Sequence, residues 1–167
     1  MVVWIIGLSA SGKTTLAEEV TARLRNAGRV VVLLDGDVIR QLFRNDVDHT
    51  VEGRHKNAQR LSQLTAFLAT QEVDVIAAVL SIFPDWQSWN RSHIPGYKEV
   101  YLKASMDTLL RRETKSLYSR ALRGELSNVV GVDIPFPEPL NADLVLENDI
   151  DRREFEDMVD QILRIAT

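Results

Sequence analysis

The chain has 167 residues, which suffices for one domain with a proper core but not comfortably for two. It is 45% hydrophobic and 26% charged, as ordinary globular proteins are, and its formal charge of −4 gives no support for binding to a nucleic-acid polymer. The absence of cysteine excludes disulfides and thiolate chemistry, and no apolar run is long enough to span a bilayer. We therefore expect a protein with neither a membrane segment nor a signal peptide.

Short apolar runs alternate along the chain with segments of helical period, the pattern of a parallel α/β sheet. We predict strands at Val2–Ile6, Val30–Leu34, Val73–Leu80, Glu99–Leu102 and Leu144–Leu146. Their continuous apolar character suits strands that are covered on both faces. We predict helices at Lys13–Ala27, Gly36–Arg44, Glu52–Glu72, Asp85–His93, Met106–Glu113 and Asp151–Ala166. In the third helix, the spacing of the apolar side chains predicts a face toward the sheet that is formed by Leu61, Leu64, Phe67 and Leu68.

The first strand runs directly into a segment that fits the phosphate-binding pattern G-x-x-x-x-G-K-[ST], residues 7–14. Glycines let the backbone curl so that successive N–H groups face phosphate oxygens, and the helix that follows adds its dipole. Lys13 would reach the β- and γ-phosphates, and the Thr14 hydroxyl would ligate Mg²⁺. A glycine turn with a surface lysine is the alternative, which the flanking strand and helix disfavour. The predicted ATP site is formed by Gly7, Ser9, Ala10, Ser11, Gly12, Lys13, Thr14 and Thr15.

Two carboxylates, Asp35 and Asp37, follow the second predicted strand. Ligands of open α/β sheets bind at the carboxyl ends of strands. The pair could hold Mg²⁺ through water and accept a proton from an attacking hydroxyl. The alternative is an Asp-Gly turn in which Asp37 caps a helix.

Further polar residues follow the acidic pair. Arg54 and Asn57 share one face of the third predicted helix, and arginine binds anionic oxygens through paired hydrogen bonds. Together with Arg40 they could hold an anionic acceptor. A solvated helix face would contain the same kinds of residue, so this pattern alone leaves both interpretations open.

The segment from Lys115 to Leu140 departs from the alternation of strands and helices. It holds several basic residues, two glycines and three prolines, and it has too little periodic apolar content to be core. In a phosphate-loop kinase a mobile lid lies here and excludes water from the nucleotide. A long surface loop is the alternative, although loops of this length are usually functional. We predict a single P-loop NTPase domain over residues 1–167, a three-layer α/β/α sandwich with a five-stranded parallel sheet and a lid at about 115–140.

These motifs together resemble the adenylylsulfate kinases, which phosphorylate the ribose 3′-hydroxyl of adenosine 5′-phosphosulfate (APS). The resemblance covers nearly the whole chain, in order and spacing, through Gly7–Thr15, Leu34–Arg40, Arg54–Asn57, Lys115–Tyr118 and Gly131–Pro135. It implies that Lys13 and Thr14 serve ATP and Mg²⁺. It also implies that Asp35 organises the metal and that Asp37 is the base for the hydroxyl proton. The acceptor contacts that it implies are Asp37, Arg40, His49, Arg54, Asn57, Ser81, Lys115 and Val129.

Two departures from the family pattern fall where the acceptor base would lie. The family has Asp-Leu-Gly-Phe-Ser where this chain has Asp46-Val47-Asp48-His49-Thr50, and Lys-Gly-Phe-Thr-Gly where it has Ser127-Asn128-Val129-Val130-Gly131. The resemblance implies that the two replaced phenylalanines sandwich the adenine, and a stack on a base contributes about 1–3 kcal/mol. His49 could still stack, whereas Val129 can only pack. The departures therefore indicate retained chemistry with altered acceptor specificity.

The sequence thus predicts an ATP- and Mg²⁺-dependent kinase for a ribose 3′-hydroxyl of an anionic nucleotide, with APS as the leading acceptor. Cytidine diphosphoramidate, the acceptor of related kinases, is the alternative, because a smaller pyrimidine needs less aromatic surface. A nucleotide-binding switch would leave Arg40, Arg54 and Asn57 without a purpose. A guanylate- or shikimate-like kinase would leave the later motifs unexplained. The resemblance also implies a homodimer, and the use of ATP indicates the cytoplasm.

Overall fold

Five strands form one parallel sheet in a computed structural model that describes residues 1–149 and 153–166. The strands are β1 (Val2–Ile6), β2 (Val31–Asp35), β3 (Asp74–Val79), β4 (Tyr97–Lys103) and β5 (Leu144–Glu147), in the spatial order β2-β3-β1-β4-β5. β1 lies at the centre, where Val2 is opposite Val75 on one side and Tyr97 on the other. The predicted five-stranded parallel sheet is confirmed.

Helices connect the strands and cover both faces of the sheet. They are α1 (Lys13–Asn26), α2 (Gly36–Leu42), α3 (Val51–Thr70), α4 (Pro84–His93), α5 (Met106–Arg112), α6 (Leu117–Leu122) and α7 (Arg153–Ala166). The first two residues of the predicted helix Asp151–Ala166 lie outside the described residues. No helix in the described part of the chain is long and apolar enough to cross a membrane.

The side chains of β1 alternate between two hydrophobic layers, as the two-residue period of a strand requires. Val3 and Ile5 face a cluster that contains residues of α1 and α7. Val2, Trp4 and Ile6 face a second cluster, to which α2, α3 and α4 contribute. All five residues of β1 are at most 2% exposed, which explains why this strand reads as an uninterrupted apolar run.

Two sequence-based expectations about packing are wrong. Phe67 does not face the sheet with Leu61, because its side chain is 61% exposed whereas that of Leu61 is 3% exposed. The segment 115–140 does contribute to the core: Tyr118 is fully buried and Val129 is 2% exposed. A short helix, α6, carries Tyr118, and its six residues are too few to show a helical period in the sequence.

Candidate active site

The loop between β1 and α1 has the backbone geometry of a phosphate-binding turn. Ala10 and Gly12 both have left-handed backbone angles, with φ of 63° and 96°. A side chain at Gly7 would come within 2.5 Å of the Leu102 carbonyl oxygen, so the first glycine is required by the close approach of β4. A cavity of about 350 Å³ opens beside this loop and is lined by Ala10, Gly12, Lys13, Thr14, Thr15 and Arg112.

Two side chains from outside the loop bind its carbonyl groups. The Tyr118 hydroxyl donates a 2.8 Å hydrogen bond to the Ser9 carbonyl oxygen. Asn148 follows β5, and its side-chain amide nitrogen donates a 2.7 Å hydrogen bond to the carbonyl oxygen of Ser11. The loop is therefore fixed both from α6 and from the far edge of the sheet.

Lys13 points back over the loop, and its ammonium group donates a 2.7 Å hydrogen bond to the Leu8 carbonyl oxygen. Burial lowers the pKa of Lys13 from 10.5 to about 8, although the carboxylates of Asp35 and Asp37 act in the opposite direction. A partly desolvated cation of this kind interacts strongly with an arriving anion, because little water remains to screen it.

Asp35 ends β2 and joins the acidic pair to the phosphate loop. One of its oxygens, Oδ2, accepts a 2.8 Å hydrogen bond from the Thr14 hydroxyl. The other oxygen accepts hydrogen bonds from the backbone N–H groups of Asp37 and Val38, at 2.8 and 3.4 Å, and so caps α2. The cap of α2 is thus Asp35 and not Asp37, and the exposed Asp37 carboxylate is left available for a ligand.

Asp37 lies among the cationic groups of the site. Its charge opposes the effect of burial on the pKa of Lys13, of Arg40 and of Arg54. Burial, followed by the charges of Arg40 and Arg54, lowers the pKa of His49, and Asp37 opposes that shift too. The structure therefore brings together the donor-side lysine, the proposed base and two arginines.

The two arginines are held by backbone carbonyls, which fixes their positions before any ligand arrives. Arg40, 6% exposed, donates hydrogen bonds of 3.2 and 2.8 Å to the carbonyl oxygens of Val47 and Asp48. Arg54 donates to the carbonyl oxygens of His49 and Asn128, at 2.8 and 2.9 Å. Arg54 therefore connects α3 to the segment 115–140.

Asn57 links the second turn of α3 to the first residue of α2. Its amide nitrogen donates a 3.3 Å hydrogen bond to the Gly36 carbonyl oxygen, while its buried Oδ1 atom has no hydrogen-bond partner. A buried polar atom without a partner is costly and is expected where a ligand or an ordered water supplies the missing donor.

The comparisons with known proteins agree with this arrangement. The family Adenylylsulphate kinase matches residues 1–147. The chain belongs to the adenylylsulfate kinase family. It is therefore a phosphotransferase that uses an alcohol group as acceptor, within a family of ATP-using kinases.

Individual relatives are similar to this kinase over almost their whole length. The adenylyl-sulfate kinase of Paraburkholderia xenovorans is 39% identical over 163 residues, which cover 97% of this chain and 90% of the relative. The cytidine diphosphoramidate kinase of Campylobacter jejuni is 34% identical over 163 residues, covering 98% and 94%. The structure of the APS kinase of Mycobacterium tuberculosis in complex with AMPPNP and APS matches with a TM-score of 0.88 at 28% identity, covering 98% and 95%.

The remaining residues that we predicted for the acceptor site differ in whether their side chains can reach a ligand. His49 lies in the loop between α2 and α3, and Lys115 is exposed in the turn before α6. Ser81 follows β3 with a left-handed φ of 50°, and its carbonyl oxygen accepts a 2.9 Å hydrogen bond from the Gln87 amide. Val129 is the exception, because its side chain is 2% exposed and therefore has no surface for a base to contact.

Sequence analysis assigned no role to two residues that the structure places on the phosphate loop. Tyr118 belongs to a segment that we quoted for the family resemblance, but its buried hydroxyl had no evident partner in the sequence. Asn148 follows β5 and is 7% exposed. From the sequence alone, a buried polar residue after a strand cannot be distinguished from a polar residue on the surface. The signal that could have found it is position, because ligands collect where parallel strands end.

Proposed function

We propose that the kinase transfers the γ-phosphoryl group of ATP to the ribose 3′-hydroxyl of an anionic nucleotide, with APS as the leading acceptor. The observation that carries the proposal is that the exposed carboxylate of Asp37 interacts electrostatically with Lys13, with Arg40 and with Arg54. A carboxylate that interacts with both a donor-side cation and acceptor-side cations suits the removal of a proton from an acceptor hydroxyl.

Each residue has a task that follows from its position. Lys13 binds the phosphate chain of ATP and balances its charge. Arg40 and Arg54 bind the anionic group of the acceptor. The Asn57 amide oxygen, which has no partner in the protein, accepts a hydrogen bond from a hydroxyl group of the acceptor's sugar. Asp37 accepts the proton as the hydroxyl oxygen attacks. Phosphoryl transfer needs mainly such positioning and charge stabilisation, so this set suffices.

Thr14 and Asp35 fit a role in holding Mg²⁺. Their oxygens lie 2.8 Å apart beside the phosphate loop, and hydroxyl and carboxylate oxygens are the donors that Mg²⁺ prefers. Mg²⁺ in kinases keeps several waters and phosphate oxygens, so two protein side chains are enough. When bound, the ion would neutralise charge on the phosphates, as in other phosphate-loop enzymes.

Cytidine diphosphoramidate is the second candidate acceptor, and the burial of Val129 favours it. Without an aromatic side chain at this position, His49 alone remains of the expected pair that stacks on a base. A relative that is 34% identical carries the name cytidine diphosphoramidate kinase. A smaller base loses less stacking than adenine does when one side of the sandwich is absent.

The deciding experiment measures kcat/KM for APS and for cytidine diphosphoramidate side by side, with ATP and Mg²⁺. A higher value for APS is expected under the leading proposal, and a preference of about a hundredfold or more for the cytidine compound, roughly 2.7 kcal/mol, would overturn it. The role of Asp37 as the base is tested with Asp37→Ala, which should abolish turnover while ATP still binds. Near-wild-type kcat in this variant would show that Asp37 is not the base.

We also propose that the kinase is a single-domain homodimer that acts in the cytoplasm. The first part rests on the family resemblance, and the second on the supply of ATP there. Sedimentation equilibrium of the purified protein tests the dimer. A mass that stays at the monomer value of 18.9 kDa at micromolar concentration would contradict it.

A further inference from the structure

A side chain of the segment 115–140 binds the backbone of the phosphate loop. Tyr118 is fully buried, and its ring packs with Leu109, Ala121 and Val129. Leu8 and Ala10 of the phosphate loop pack against the same cluster. At the end of the ring, the hydroxyl donates its 2.8 Å hydrogen bond to the Ser9 carbonyl oxygen.

The direction of this carbonyl decides the direction of the next N–H group. In a trans peptide unit the C=O and N–H bonds point opposite ways, and the unit between Ser9 and Ala10 is trans. The Ala10 N–H therefore points away from Tyr118. Ala10 also lines the nucleotide cavity together with Gly12 and Lys13, and backbone N–H groups that face such a cavity form a phosphate cradle.

The loop needs an external hold at this point because its backbone is unfavourable. Ala10 has a φ of 63°, a left-handed conformation that costs energy for any residue with a Cβ atom. A peptide unit next to such a residue can relax by turning over, which would point the carbonyl oxygen at the phosphates. The hydrogen bond from Tyr118 opposes that turn.

Tyr118 is itself anchored through the start of α6. The carboxylate of Glu113 accepts a 2.6 Å hydrogen bond from the Tyr118 backbone N–H and a 3.1 Å bond from that of Ser119. Lys115, the lid residue expected to reach the substrate phosphates, lies in the turn between Glu113 and Tyr118. The same short segment therefore carries both Lys115 and the anchor of Tyr118.

We propose that Tyr118 is a positioning residue that orients the Ser9–Ala10 peptide toward the ATP phosphates and couples this orientation to the lid. The inference rests on the proposed use of ATP, but not on the identity of the acceptor. It adds a function to a residue that touches neither substrate.

The test compares Tyr118→Phe with Tyr97→Phe. Tyr97→Phe is a matched control, because it also removes one buried phenol hydroxyl, which donates a 2.8 Å hydrogen bond to Glu99 on β4. Tyr118→Phe should weaken the binding of AMPPNP with Mg²⁺, measured by titration calorimetry, by about 3- to 10-fold, the effect of losing one hydrogen bond. It should raise the KM for ATP by a similar factor and leave the KM for the acceptor unchanged. Tyr97→Phe should lower the melting temperature without changing either constant.

A double-mutant cycle with Glu113→Ala tests the coupling to the lid. Loosening α6 should weaken AMPPNP binding in the wild-type background and have no further effect in Tyr118→Phe, since the hydrogen bond is already absent. Wild-type affinity for AMPPNP in Tyr118→Phe, or equal losses in Tyr118→Phe and Tyr97→Phe, would overturn the proposal. Because AMPPNP binding requires no acceptor, a failure of the proposed acceptors would be seen separately, as an absence of turnover in the wild type.

Discussion

At the scale of single residues, Lys13 of the phosphate loop favours the binding of ATP but lowers the stability of the nucleotide-free protein. Lys13 lies partly desolvated beside the Leu8 carbonyl, and burial depresses its pKa to about 8. A lysine with a lowered pKa binds its proton more weakly in the folded than in the unfolded protein. Its charge therefore destabilises the fold below about pH 8, and this penalty fades as the pH rises toward the ordinary value of 10.5.

We accordingly predict that Lys13→Met raises the melting temperature of the nucleotide-free kinase at pH 7, although it abolishes turnover. The gain should shrink between pH 8 and pH 10, where the wild-type lysine loses its proton. Thermal unfolding of both proteins at pH 7 and pH 9.5 measures the effect. Lys103→Met, which replaces a lysine that is 46% exposed, should show no comparable pH-dependent gain. A melting temperature of Lys13→Met below that of the wild type at pH 7 would contradict the argument.

At the scale of elements, the lid is partly a component of the core. Tyr118 and Val129 pack with Leu109 of α5, so one part of the segment is fixed while the turn at Lys115 is exposed. The carboxylate of Asp133 holds the turn before this buried valine by accepting 2.6 Å hydrogen bonds from the backbone N–H groups of Asn128 and Val129. Arg54 in turn donates to the Asn128 carbonyl, so this turn also fixes an acceptor-side cation.

Restoring the family's phenylalanine at position 129 should therefore damage the fold and not improve the acceptor site. Val129→Phe adds a ring to a closely packed cluster and should lower the free energy of unfolding by about 1–3 kcal/mol. Urea unfolding measures this loss, and Val145→Phe, at a β5 residue that is 53% exposed, is the control that should be tolerated. A variant at position 129 that keeps its stability and gains affinity for APS would show that the side chain faces the acceptor.

The elements differ in how far the sequence predicts them. β1 was predicted to the residue, because a central parallel strand is apolar on both faces and ends at the phosphate loop. β4 runs from Tyr97 to Lys103 and is longer than the predicted Glu99–Leu102. The charged Lys98 and Lys103 interrupt the apolar run in the sequence, but both residues still belong to the hydrogen-bonded ladder of the sheet. Helix α6 and the burial of Val129 depend on packing against Leu109 of α5, which no periodic pattern in the sequence of this segment indicates.

Local motifs explain which site residues were found, and long-range contacts explain which were missed. Lys13, Asp35 and Arg54 lie in motifs whose spacing already expresses the geometry of the site. Tyr118 and Asn148 donate hydrogen bonds to backbone carbonyl groups of the phosphate loop, which are 109 and 137 residues distant in sequence. Every residue has such a carbonyl group, so the sequence does not indicate which one is a partner.

At the scale of the whole molecule, the sheet also contains a buried carboxyl group. Glu99 lies on β4 and is 2% exposed, and burial raises its pKa above the ordinary value. Its carboxylate accepts the hydrogen bond from Tyr97 and lies 4.0 Å from Arg91, which also pairs with Asp143 at 3.1 Å. Removing the charge of Glu99 would therefore not leave Arg91 unpaired.

A glutamine at position 99 should stabilise the whole kinase, and more so as the pH rises. The raised pKa means that the folded protein holds the Glu99 proton more tightly than the unfolded chain, so the wild type loses stability as the pH rises above about 4.5. Glu99→Gln keeps an oxygen that accepts from Tyr97 but has no charge to desolvate, so its melting temperature should exceed that of the wild type by a margin that is larger at pH 8 than at pH 5. Glu138→Gln is the matched control, because Glu138 accepts from the Tyr101 hydroxyl at 3.1 Å but its side chain is 54% exposed. If the margin for Glu99→Gln were constant with pH, or equal to that of Glu138→Gln, the carboxyl group of Glu99 would not be the source of the pH dependence.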